Sequence, residues 1–226
     1  MAVISPVSER STVTALLLLT FATGLADAIA VLKLGHVFVA NMTGNVIFFG
    51  FWFAPRSTVD LTAVVVAFPT FVAGTILGGR LMRHFGVRVR PWITLSLGIE
   101  VVLLTVLSIL AGAGVCRYND NTKLLLIGGM AIVFGLQHSS ARQFGIQELT
   151  TTVLTSTIVG LGFDSRLAGG TADREKLRYG VVLTMGIGAT VGATITRVAV
   201  APVLCLAAAV IAVSLLIFRF GPEPTS

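Results

Sequence analysis

The 226-residue chain gathers its most unusual polar residues into two short stretches. One reads Val39-Ala40-Asn41-Met42-Thr43-Gly44-Asn45. The other reads Thr150-Thr151-Thr152-Val153-Leu154-Thr155-Ser156-Thr157. Both lie in otherwise apolar surroundings. Asn, Thr and Gly bring short hydrogen-bonding groups and permissive backbone angles. Non-helical backbone at membrane depth needs such groups, because it survives only where protein or a water-filled cavity satisfies it. A helix beginning there would present N–H groups without intrahelical partners, which favours an anion or a polar solute. Two titratable residues accompany the stretches, Asp27 and His138. The candidate solute-binding set is therefore Asp27, Asn41, Thr43, Asn45, His138, Thr151, Thr152 and Thr155. The competing reading makes the clusters interhelical hydrogen-bonding sites. On that reading, Asp27 and His138 hold structural hydrogen bonds or mark helix ends at the interface.

Other chemistry finds little support. Neither GxSxG nor HExxH occurs, and His36, His84 and His138 are scattered. Cys116 and Cys205 form no CxxC pair, so no metal, cofactor or catalytic role is expected. Glu100 sits inside an apolar run, where an acidic residue costs about 2.5–3.5 kcal/mol on insertion scales. It is read as structural. Lys33 and Arg142 close apolar segments and read as interfacial anchors.

The elements that must position these residues are membrane helices. Hydrophobic residues make up 55% of the chain and charged ones 12%, with mean hydropathy +0.94. Globular domains carry about 25% charge, so an all-α polytopic bundle is expected. The runs 61–79, 101–116 and 198–218 carry no charged residue. About 20 apolar residues cross a bilayer core of about 30 Å. The net charge of +6 comes from short clusters between apolar runs. That pattern fits orientation signals and lipid headgroups, so the bilayer is the expected partner rather than nucleic acid. Arg10 and the apolar run ending at Ala28-Ile29-Ala30 imitate a cleavable leader. A run of about twenty residues favours a retained first helix instead.

The chain also repeats itself with a period near 111 residues. Gly24-Leu25-Ala26-Asp27 pairs with Gly135-Leu136-Gln137-His138, and Thr43-Gly44-Asn45-Val46 with Thr155-Ser156-Thr157-Ile158. Gly50-Phe51 pairs with Gly162-Phe163, and the glycines of Gly74-xxx-Gly78 with those of Gly188-xxx-Gly192. Residues 1–118 and 119–226 are read as two repeats forming one membrane domain. Each holds four segments, roughly 12–32, 37–54, 61–80 and 92–115, then 124–141, 149–163, 178–196 and 198–218. Charge arbitrates the number of spans. If segments 37–54 and 149–163 enter and leave on one side, eleven basic residues fall on the side of the N-terminus. These are Arg10, Arg80, Arg83, Arg88, Arg90, Arg142, Arg166, Arg174, Lys176, Arg178 and Arg219. Five remain opposite, Lys33, Arg56, Arg117, Lys123 and Arg197. That bias marks the first side as cytoplasmic. An odd number of spans per repeat inverts the two, which predicts three spans plus one re-entrant or broken segment each. The glycine pairs read as close helix packing.

Gly24-Leu-Ala-Asp-Ala, continuing through Val37-Phe-Val-Ala-Asn-Met-Thr-Gly-Asn45, resembles the signature of YoaK-type bacterial membrane proteins, a family of unknown function. Gly135-Leu-Gln-His and Leu149-Thr-Thr-Thr-Val-Leu-Thr155 resemble its second-half counterpart. The resemblance covers about residues 13 to 220. It implies a bacterial inner-membrane protein with about six spans and supplies no substrate. Together these features predict a transporter or channel for a small polar or anionic solute. The alternative is a scaffold or accessory subunit whose polar clusters only pack helices. A homo-oligomer is compatible with either.

Overall fold

The computed structural model describes residues 5–53, 58–118, 120–144, 154–172 and 174–223. Its elements are α1 (Glu9–Lys33), α2 (Met42–Gly50), α3 (Leu61–Phe85), α4 (Val89–Gly112), α5 (Lys123–Ala141), α6 (Leu154–Phe163), α7 (Glu175–Thr196) and α8 (Ala201–Phe220). Short 3-10 turns follow α2 at Phe51–Phe53 and α5 at Arg142–Phe144. No strand occurs among the described residues. Six helices, α1, α3, α4, α5, α7 and α8, are long and apolar enough to cross a membrane. α2 and the described part of α6 are shorter apolar helices.

Helix ends follow local chemistry. The Ser8 hydroxyl caps α1 by accepting the Ser11 N–H, and Asp60 caps α3 by accepting from Thr62 and Ala63. Gly35 and His36 both take positive φ, turning the chain back after α1. Asp60 donates its N–H to the Gly35 carbonyl, so the end of α1 and the start of α3 meet. The Lys123 ammonium lies 2.6 Å from Asp60, which brings the start of α5 to the same place.

The opposite end of the bundle holds both described termini. Ser8 donates its N–H to the Pro222 carbonyl, and the Arg90 guanidinium reaches the Pro6 and Gly221 carbonyls. Trp92, Phe144 and Phe218 form an aromatic chain there, joining α4, the turn after α5, and α8. This will be called the terminal end. The segment containing α2 leaves α1 and rejoins α3 at the far end. The segment containing α6 runs between α5 and α7 at the terminal end.

α1 and α5 are the central helices, about 70% buried over their most apolar stretches, against 22–39% for the other four. The outer helices turn Val65, Val106, Leu183 and Leu216 outward, as hydrocarbon surroundings allow. Close approach rests on glycine. α1 packs on α7 and α5 packs on α3. A β-carbon on Gly24 would collide with the Met185 carbonyl, and one on Gly188 with that of Phe21. Likewise, a β-carbon on Gly135 would collide with the Phe71 carbonyl, and one on Gly74 with that of Ile132. The glycine pairs are thus packing contacts, as small-xxx-small spacing predicts.

Candidate functional site

The segment 37–54 is not one helix. Helix begins only at Met42, because the preceding backbone is held elsewhere. The Asp27 carboxylate, six residues before the end of α1, accepts the N–H groups of Val39 at 2.8 Å and Ala40 at 3.0 Å. It also accepts from the Asn41 side-chain amide. Asn45 completes the hold from the first turns of α2. Its oxygen accepts the Phe38 N–H at 2.9 Å and its amide donates to the Phe38 carbonyl at 2.6 Å. Both side chains are buried. Gly44 packs closely here, since a β-carbon would run into the Phe38 ring unless that ring moved. Six residues of helix span roughly 9 Å, so Asp27 draws the broken backbone well inside the bundle.

Asn41 stands at the border between this hold and a cavity of about 210 Å³. The described residues that line it are Ala40, Asn41, Met42 and Thr43 from the start of α2, Leu154 and Thr155 from α6, and Phe71 from α3. The first turn of α2 and the first described turn of α6 therefore meet at one space. The Arg178 guanidinium steadies the far end of α6, lying 2.6 Å from Asp164 and donating to the Gly160 carbonyl at 2.8 Å.

Of the eight predicted residues, the structure places Asn41, Thr43 and Thr155 on the cavity wall. Asp27 and Asn45 lie behind it and shape it. His138 donates from Nδ1 to the Phe134 carbonyl at 2.7 Å, and its ring meets Phe71 edge-on at 5.5 Å. It thus backs a wall residue of the cavity. Thr151 and Thr152 lie outside the described residues. Phe71 was missed, since an apolar residue in an apolar helix carries no signal of its own. No cluster of His, Cys, Asp or Glu able to hold a metal occurs among the described residues.

Comparison with known proteins adds the relationship. A family model described as a protein of unknown function, DUF1275, matches residues 15–217. The chain belongs to the DUF1275 family. The chain is 33% identical over 154 residues to the UPF0700 transmembrane protein YoaK of Bacillus subtilis (strain 168). That match takes in 67% of this chain and 65% of the relative, so it spans about two thirds of the relative's length. No solved structure matches the chain. The broken segment held by Asp27 and Asn45 and the cavity beside it both lie within the residues that the DUF1275 model matches.

Proposed function

We propose that this DUF1275 protein is a membrane transporter or channel for a small polar or anionic solute. The observation that carries this reading is the cavity where the first turn of α2 meets Leu154 and Thr155 of α6. Its polar wall groups are the Asn41 amide and the Thr43 and Thr155 hydroxyls, which donate and accept without carrying charge. The N-terminus of α2 beside them favours negative charge. At about 210 Å³ the space is smaller than the roughly 300–1,000 Å³ of drug-sized pockets, which restricts the cargo to a small solute. No wall residue acts as a catalyst in this reading, and the bilayer is the only partner it needs.

The two halves act as inverted repeats in the same proposal, with the path at their interface. Its support is the exchange of roles between contacts: Gly24 against Met185 and Gly135 against Phe71, Gly188 against Phe21 and Gly74 against Ile132. Orientation follows from the basic residues near the terminal end, Arg83, Arg88, Arg90, Arg174, Lys176 and Arg219 among them, which place it on the cytoplasmic side of a bacterial inner membrane. Reporters fused after residues 86 and 168 are expected inside and those after 57 and 119 outside; the reverse assignment would overturn the orientation.

The scaffold reading draws on a different observation. Asp27 and Asn45 bond chiefly to backbone groups, as structural residues do. Flux separates the two. In proteoliposomes screened against a panel of small polar and anionic solutes, Asn41→Ala and Thr155→Val should each lower the flux at least several-fold. Unchanged flux in both variants would remove these residues from the path.

A further inference from the structure

Glu100 lies in the middle of α4, and its side chain is fully buried. One carboxylate oxygen receives a long bond, 3.5 Å, from the Ser96 hydroxyl. The other has no hydrogen-bond partner among the described residues. Ser96 in turn shares a 2.8 Å hydrogen bond with Ser140 of α5. Trp92, Ser96 and Glu100 follow at intervals of four, so they share one face of α4. The Trp92 indole N–H is likewise buried without a partner. Beyond Glu100 the buried positions become Leu104, Leu107 and Ala111. The polar track therefore runs from the terminal end to the middle of the bundle and stops there.

An ionised carboxylate in this position is costly unless paired. The helices packed on α4 are α3, α5 and α8. They carry Arg80, Arg83, His84, Asp60, Lys123, His138, Arg142 and Arg219 on or at the ends of their helices, and none forms an ion pair with Glu100 among the described residues. Lys123 is paired with Asp60 and the His138 Nδ1 with Phe134. A metal cation is poorly served, since hard cations take about six or more oxygen ligands. Among the described residues, the side-chain oxygens bonded in this cluster are those of Glu100, Ser96 and Ser140. A proton needs one.

We propose that Glu100 is a proton-binding site reached from the terminal end of the bundle along the Trp92–Ser96–Glu100 face of α4. Loading forms one O–H bond on the carboxylate and changes its charge from −1 to zero. Release returns that proton to water at the same end. Trp92, Phe144 and Phe218 cover the mouth of the track. The site goes beyond the transport reading and stands without it.

Infrared spectroscopy of the full chain in lipid nanodiscs tests the site, using the proton alone as ligand. The expected result is a carbonyl band of a dry carboxylic acid that is lost in Glu100→Gln and fades as the pH is raised. Ser96→Ala, which removes only the neighbouring hydroxyl, should shift the band without abolishing it. This second variant carries the test if Glu100→Gln does not fold. A band that persists in Glu100→Gln, is unmoved in Ser96→Ala, stays constant with pH, or is missing from the wild type would overturn the proposal. The measurement requires no solute, so its failure and that of the flux assay are distinguishable.

Discussion

The Asp27 carboxylate accepts the N–H of Val39 at 2.8 Å, tying the last turns of α1 to backbone twelve residues on. This bond and its neighbours at Ala40 and Asn41 make a break in the helical path tolerable inside the bundle. Asp27→Ala leaves three donors without their acceptor. At about 1–3 kcal/mol for each buried unsatisfied group, the loss should be about 3 kcal/mol or more. Asn45→Ala removes the two Phe38 bonds and should cost less, about 2 kcal/mol. Unfolding in detergent measures both, and a drop larger for Asn45→Ala than for Asp27→Ala would reverse the assigned roles.

Glycine substitutions should divide by location. Gly24→Ala, Gly135→Ala, Gly74→Ala and Gly188→Ala each drive a methyl group into a neighbouring backbone carbonyl. Overpacking of this kind costs about 1–3 kcal/mol. Gly162→Ala and Gly186→Ala meet no atom within 4 Å and sit in helices, so they should be neutral or gain a few tenths of a kcal/mol. Thermal midpoints of all six variants decide the matter. Equal effects in both groups would contradict the packing account.

Asp60 gives the far end a pH dependence. Partial burial alone would raise its carboxyl, but Lys123 and the N–H groups of Ala63 and Thr62 outweigh that and hold it below its ordinary value. A depressed carboxylate stabilises the fold above its unfolded value of about 4, and the contribution is lost as pH falls through the lower folded value. Asp60→Ala should cost about 1 kcal/mol at neutral pH through the lost cap of α3. The difference from wild type should shrink as pH falls below about 4. A difference independent of pH would leave capping geometry without an ionic part.

Much of this was legible in the sequence. Apolar runs marked eight segments and the split of basic residues reduced them to six spans, while the spacing of Gly74 with Gly78 and Gly188 with Gly192 foretold the tight helix pairs. The positions of α2 and α6 were readable too, because both break the pattern of long apolar runs. The start of α2 was not. Residues 37–41 are as apolar as a helix, and only the hydrogen bonds of Asp27 and Asn45 show why they are not one. Asp27 was conspicuous as an acid in an apolar segment, yet its service to the backbone depends on a chain reversal at Gly35 and His36 that composition does not specify. Glu100 read as structural because spacing alone does not reveal an oxygen left without a partner.

The central claim is that Thr43 of α2 and Thr155 of α6 face one water-accessible space. With Cys116 and Cys205 replaced by alanine, single cysteines at positions 43 and 155 should react with a small membrane-impermeant thiol reagent. Cysteines at the outward-facing positions 65 and 106 should react far more slowly. Labelling at 43 and 155 no faster than at those positions would mean that the meeting point of the short helices is dry, and the solute path would be contradicted.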